Sequence, residues 1–208
     1  LTGLSMSILI GVLAAGVSAV MALILGICAA TLGKKVDSAI SFAIDTVMGI
    51  PHILLLILIS YAMGKGLKGV IAGVALTHWT SLARLIRGEV MQLRESEYIQ
   101  IAGKLGLGKW EIAKKHIVPH VLPQFIVGLV LLFPHAILHE SSITFLGFGL
   151  STEQPAIGVI LSESMRYLIM GKWWLAVFPG MMLVLTVVLF EKGGTALRQL
   201  LDPGSVHK

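Results

Sequence analysis

The 208 residues are 56% hydrophobic and 13% charged, with a mean hydropathy of +0.90, which excludes a soluble domain, where roughly a quarter of residues carry charge, and places the chain in a bilayer. The formal charge of +5 does not by itself indicate nucleic acid, because in a membrane protein Lys and Arg first report orientation. A single cysteine, Cys28, excludes an internal disulfide and a cysteine metal cage.

The first element is decisive for the class. Residues 2–33 contain no Asp, Glu, Lys, Arg or His, and a spanning helix needs only about 20 apolar residues. The segment lacks a basic flank and is too long for a signal-peptide core, so it stays in the mature protein. Ser18, Ala22, Gly26 and Ala30 recur every fourth residue, a small-residue stripe that lets helix backbones approach closely in lipid. At 1.5 Å per residue the run exceeds the hydrocarbon core of about 30 Å, so it tilts or protrudes.

Four further apolar segments follow, at residues 39–63, 69–83, 121–138 and 173–190, the third being the shortest. The expected fold is therefore all-α and polytopic: one transmembrane domain over 1–208 with five membrane helices, a polar section at about 84–120 and a second long connection at about 139–172. The second span carries Gly49-Ile50-Pro51, where proline removes a backbone donor and a kink is expected; it serves either packing or a gate hinge.

Five spans put the Lys34 loop, the 84–120 section and the tail on one side. That side holds twelve basic residues (Lys34, Lys35, Arg84, Arg87, Arg94, Lys104, Lys109, Lys114, Lys115, Lys192, Arg198, Lys208) against four on the other (Lys65, Lys68, Arg166, Lys172). The positive-inside rule assigns the twelve to the cytoplasm. Leu1 then starts outside, and a protein with a cytoplasmic start would need one more helix before it.

Within the polar section, Gly103 to Trp110 reads GKLGLGKW, one residue from the phosphate-cradling pattern G-x-x-x-x-G-K-[ST]. The hydroxyl position is Trp110, and the preceding EYIQIAGKL has helical spacing rather than that of a buried strand. A nucleotide site in this chain is excluded on those grounds. The glycines instead punctuate a helix–turn–helix: Gly106 and Gly108 end the first helix, residues 109–118 begin the second, and Pro119 and Pro123 frame the return to the membrane. So short an element must dock, either in a partner's groove or on the chain's own helix ends.

His135 and His139, in PHAILHE, are four apart and share a helix face, with Glu140 about 100° around. Imidazole suits nickel, copper or zinc, and polar groups at membrane depth tend to face a cavity. The alternative is that both histidines only hydrogen-bond neighbouring helices. His52 and His78 are assigned to helix contacts, His120 and His207 to solvent. Trp173-Trp174 fit an interfacial aromatic belt, and Met165, Met170, Met181 and Met182 fit packing. Ser141-Ser142 beside His139 and Glu140 form no hydrolase triad, lacking a nucleophile elbow.

The stretch Glu97-Tyr98-Ile99-Gln100-Ile101-Ala102-Gly103-Lys104-Leu105-Gly106, followed by His116-Ile117-Val118-Pro119, resembles the "EAA" loop of the permease subunits of bacterial ABC importers. It is most similar to the dipeptide, oligopeptide and nickel branch, although Gln100 and Ile101 replace the usual Glu and Ala. Residues 142–149 (SITFLGFG) resemble that branch's S-F-L-G-x-G segment, and 197–204 (LRQLLDPG) its L-R-x-x-L-D-P ending. The resemblance implies a non-enzymatic permease subunit in the bacterial inner membrane. It would pair with a homologous permease, two ATP-binding subunits and an external solute-binding protein. ATP and Mg would sit on the partners and no cofactor on this chain. Glu97, Tyr98, Gln100, Ala102, Gly106, Gly108, Trp110, His116 and Pro119 would couple to the ATPases. The H-x-x-x-H spacing and His78-Trp79 resemble nickel and metallophore permeases, implying His78, His135, His139 and Glu140 on the substrate pathway, with His135 and His139 touching metal in transit. Nickel, free or chelated, is then the expected cargo, with a di- or oligopeptide as the alternative. A channel or carrier without an ATPase is the rival class, for which Asp45 is the one acidic residue inside an expected span.

Overall fold

The computed structural model describes residues 2–201, the side chain of Lys109 excepted. The end of the L-R-x-x-L-D-P segment from Asp202 onward, His207 and Lys208 lie outside the described residues. Those described are almost entirely helical, with no strand among them.

Helix α1 (Thr2–Thr31) buries the stripe of Ser18, Ala22, Gly26 and Ala30, and packs chiefly against α4 (Gly66–Glu95) and α7 (Val118–Phe145). A Cβ on Gly26 would lie 2.9 Å from the Ala83 carbonyl oxygen, so the absence of a side chain there sets the α1–α4 distance.

The second apolar segment is not one kinked span. It divides into α2 (Lys34–Gly49) and α3 (His52–Ala62), bent by 99°. Pro51 disfavours the helical conformation in its predecessor, and Ile50 is extended at φ −90°, ψ 137°. The predicted kink is thus a complete break, leaving α3 to lie along the first half of α4.

The third span is also longer than its apolar run. Helix α4 continues to Glu95 because its charges find partners: Arg84 Nη2 lies 2.6 Å from Asp45 Oδ1, Arg87 grips both carboxylate oxygens of Asp37, and Arg94 donates to the Ala30 carbonyl. Residues 84–95, expected in the polar connection, are therefore membrane helix and its extension.

The connection itself is α5 (Glu97–Lys104), a glycine turn, and α6 (Lys109–Ile112), which passes through a π-helical turn (Ala113–Ile117) straight into α7. Pro119 and Pro123 do not mark the return to the membrane; the first sits in the opening turn of α7 and the second inside it. The wider turn before Pro119 leaves room for a ring that would press on the carbonyl four residues back in a regular helix. The expected connection at 139–172 is similarly part helix: α7 runs to Phe145, and α8 (Ile157–Leu168) precedes α9 (Trp174–Leu201).

Four helical stretches are long and apolar enough to cross a membrane, and the bent α2–α3 pair passes the same test only when its two halves are taken together, as a broken span or a re-entrant loop. The core lies among α1, α4 and α7; α9 packs on α7 and α8 by one side only and is otherwise exposed. The ends sort as the charges do. Glu89, Pro119, His120, Arg198 and Leu201 line one cleft, so α4, α7 and α9 meet at the basic end. At the other end Gly66 N–H donates to the Gly149 carbonyl (3.0 Å), Ser60 Oγ to that of Phe148 (2.7 Å), and Ile157 N–H to Ser7 Oγ (3.2 Å).

Candidate functional site

A cleft of about 360 Å³ opens between α3, α4 and α7, lined by His52, His78, Ser81, Leu85, His135 and His139 among others. Gly128 of α7 faces Leu82 of α4 on its wall, where a Cβ would fall 2.4 Å from the leucine methyl, so the two helices come close beside the cleft. The break at Gly49-Ile50-Pro51 borders a second cavity of about 430 Å³ that shares His52 and Ser81. Non-helical backbone at membrane depth persists where it lines a cavity, and the break does so.

Three histidines from three helices meet in the cleft. Ring centroids are 4.6 Å apart for His52–His78 and for His52–His139, and 4.9 Å for His78–His139. One nitrogen from each lies within 4.8 Å of the others. His78 is 7% exposed, and its Nδ1 sits 3.0 Å from the Val74 carbonyl and 3.1 Å from Thr77 Oγ1. A carbonyl only accepts, so Nδ1 carries the proton and Nε2 presents a lone pair. Nε2 of His78 and Nε2 of His52 are both buried without a hydrogen-bond partner.

The expected pair His135 and His139 does share a face of α7, and both line the cleft, with His135 exposed. His78 joins them. Glu140 does not: it turns away and is fully buried, receiving Thr144 Oγ1 at 3.1 Å and Ser141 Oγ at 3.2 Å, with Ser7 of α1 also bonded to it. The 100° step around α7 carries it to the α1 side, where it ties helices together, so its expected place on the pathway is corrected. Ser141 and Ser142 spend their hydroxyls on Glu140 and the Leu138 carbonyl. His52 was missed by spacing because Pro51 delivers it from a separate helix; its only sequence signal is its position one residue after a helix-breaking proline.

The second constellation is the hairpin at the basic end. Helix α5 ends with Gly106 at φ +91°, and Leu105, Gly106 and Leu107 N–H close back on the carbonyls of Ile101, Gly103 and Ala102, so the glycine serves as the left-handed cap. Ile99, Ala102 and Ile117 point inward. Tyr98 and His116 face each other across the hairpin, ring centroids 6.1 Å apart. Gln100, in place of an acidic group, donates to the Glu95 carbonyl at 3.1 Å and so braces the turn from α4. Glu97 opens α5, Gly108 immediately precedes α6 and Pro119 is the second residue of α7. Outward stand Ile101, Leu105 (76% exposed) and Trp110 (81% exposed), flanked by the Lys115–Glu111 ion pair at 2.6 Å. The hairpin therefore carries exposed apolar side chains on its outer side.

Comparison with known proteins bears on the family and the fold. The family described as "Binding-protein-dependent transport system inner membrane component" matches residues 22–205. The chain is 32% identical over 201 residues to the dipeptide transport system permease protein DppC of Bacillus subtilis (strain 168), covering 97% of this chain and 63% of that one. It is 30% identical over 203 residues to the probable D,D-dipeptide transport system permease protein DdpC of Escherichia coli (strain K12), covering 98% and 68%. Among solved structures, an inward-facing MetNI methionine ABC transporter chain superposes with a TM-score of 0.77 at 16% identity, covering 96% of this chain and 94% of that one. An amino acid ABC transporter crystallised with histidines gives 0.69 at 18%, covering 95% and 91%. At such identities the structures speak for the fold alone.

Proposed function

The chain belongs to the family of binding-protein-dependent transport system inner membrane components, and from that premise we propose that it forms half of the translocation pathway of an ATP-driven importer of the dipeptide and oligopeptide branch. One observation carries the mechanism. From Trp110 through the π turn to Phe145 the chain is one continuous helical rod, with Pro119, Pro123 and Pro134 along it, so the exposed hairpin tip and the cleft residue His139 are joined by unbroken helix, about 44 Å apart by helical rise.

ATPase subunits seated on Ile101, Leu105 and Trp110 would displace the rod's foot, and α7 would carry that motion to the cleft wall it shares with α3 and α4. Binding energy and nucleotide hydrolysis belong to the partners, together with ATP and Mg. The glycines of this chain serve as a cap and a turn, not as a phosphate cradle. The basic end, hairpin and α9 terminus included, faces the cytoplasm by the positive-inside bias, and a homologous permease closes the other half of the path. An external solute-binding protein delivers the cargo.

For the cargo, the relatives' names favour the peptide alternative over nickel: proteins 30% or more identical over nearly this whole chain are named as dipeptide permeases. Nickel rested on the H-x-x-x-H spacing, which those names do not support. A channel or carrier without ATPases is disfavoured by the acidic residues themselves. Asp45 is exposed and paired with Arg84, and Glu140 is knotted away from the cleft, so among the described residues no carboxylate lines the histidine cleft.

The test is reconstitution of the chain with its sister permease, ATPases and binding protein in liposomes. Labelled dipeptide should accumulate only with ATP. Accumulation without the ATPases would favour the carrier, and accumulation of nickel without peptide would reverse the cargo.

A further inference from the structure

We propose that His52, His78 and His139 form a binding site for a divalent first-row transition ion, zinc, nickel or copper(II), at the break between α2 and α3. Three observations converge on it. The donors come from three helices yet lie within 4.8 Å of one another. His78 Nδ1 is committed to the Val74 carbonyl, with Thr77 beside it, which leaves Nε2 as a lone pair; metal-bound histidines are oriented by such a second bond. The Nε2 atoms of His52 and His78 are buried and unpartnered, and a buried polar atom of this kind calls for a partner that the protein itself does not supply.

The dimensions fit after a small closure. A zinc–nitrogen bond of about 2.0–2.1 Å in tetrahedral geometry separates two ligand nitrogens by roughly 3.3 Å, against the 4.8 Å within which one nitrogen of each ring now lies, so binding draws the rings together. His52 and His139 are only half-buried and can rotate, whereas His78 is held. All-nitrogen donors without thiolate or carboxylate exclude magnesium and calcium, which take oxygen. Three protein ligands leave a fourth position open toward the cleft, as in sites that exchange a ligand. His135, one helical turn along α7 in the same cleft, is placed to receive the ion next.

Binding an ion there would pin α3 to α4 and α7 across the broken span. It could enter alone or already chelated by a peptide, since a peptide amine and amides leave coordination positions for imidazole. The site stands without the transport reading; only its position on the cargo's path rests on it.

The experiment uses the assembled transporter in detergent. Equilibrium dialysis with nickel, zinc or copper(II) chloride should give one ion per copy of this chain, and cobalt(II) should show the ligand-field absorption of a nitrogen-coordinated ion. His52→Gln, His78→Gln and His139→Gln should each weaken binding at least tenfold, while His120→Gln, at the basic end, changes nothing. Because His78→Gln is the variant most prone to misfold, His139→Gln at the half-buried position serves as the independent reading, with assembly checked by gel filtration. A parallel arm supplies nickel pre-bound one-to-one to glycylglycine, which has too few donors to fill the metal's coordination sphere. Binding from chloride supports the site for a free ion, and binding only from the glycylglycine complex supports it for a chelated one. No binding tighter than about 1 mM in either arm, or equal binding by a variant carrying His52→Gln, His78→Gln and His139→Gln together, overturns the proposal. Dipeptide uptake measured with a chelator present is a separate matter: its failure would count against the transport reading, not the metal site.

Discussion

His78 Nδ1 lies 3.0 Å from the carbonyl oxygen of Val74, one turn earlier on α4, and this bond sets which ring nitrogen faces the cleft. The geometry requires the Nδ1–H tautomer, with Nε2 bare. Nitrogen NMR of ring-labelled histidine should therefore show His78 with a pyridine-like Nε2 signal. Thr77→Val, which removes the hydroxyl 3.1 Å from the same nitrogen, should loosen the ring without abolishing that signal, because the Val74 carbonyl remains. A pyridine-like Nδ1 signal would contradict the assignment.

Asp37 and Arg87 tie the start of α2 to α4 with a bidentate pair, one contact being 2.7 Å from Nη2 to Oδ2, and both side chains are about a quarter exposed, at 26% and 27%. Arg87→Met leaves a carboxylate without its partner, and a charged hydrogen bond of this kind contributes about 1.5–3 kcal/mol. Arg87→Lys should recover little, since an ammonium cannot match the planar fork. The expected result is a lowered thermal midpoint for Arg87→Met and Arg87→Lys alike, with a double-mutant cycle against Asp37→Asn showing coupling. Additive effects would mean that the pair adds nothing to stability.

This pair also explains what the sequence could and could not reveal. The apolar runs made the helices at α1, α7 and α9 legible, and the small-residue stripe of α1 identified its buried face. The length of α4 was not legible, because Arg84 and Arg87 look like the end of a span until their partners on α2, some forty to fifty residues earlier, are known. The cleft was half legible for a similar reason. His135 and His139 are joined by helical periodicity, whereas His52 and His78 reach them through the break between α2 and α3 and an interhelical packing distance that no local pattern encodes. Glu140 was misplaced because periodicity gives an angle around a helix but not what stands at that angle.

Two of the four glycines of α1, Gly26 and Gly16, should respond in opposite ways to the same substitution. A Cβ at Gly26 would meet the Ala83 carbonyl at 2.9 Å and Ile86 at 2.9 Å, while at Gly16 nothing lies within 4 Å. Gly26→Ala forces α1 and α4 apart and should cost about 1–3 kcal/mol, the range for overpacking a tight contact. Gly16→Ala should be neutral or mildly stabilising, because alanine restricts the unfolded chain and favours the helix. Thermal midpoints of the two variants in one detergent make the comparison, and equal losses would mean that the α1–α4 approach is looser than described.

Trp110 offers the sharpest division between a folding role and a coupling role. Its ring is 81% exposed at the hairpin tip and sits outside the packed core, so Trp110→Ala should leave the stability of the isolated chain within about 0.5 kcal/mol of the parent and its thermal midpoint essentially unchanged, as for most surface changes. If ATPase subunits cover the tip, the same change removes a central aromatic anchor, which typically costs 2 kcal/mol or more at an interface and so weakens association by about thirtyfold. Leu105→Asp should act in the same direction by placing a charge in the apolar contact. The measurement is co-purification of the ATPases together with transport-stimulated hydrolysis. Loss of both with an unchanged midpoint is the expected outcome. Normal association, or a ring that remains water-accessible in the assembled complex, would disconnect the helical rod from any motor and leave the cleft without a drive.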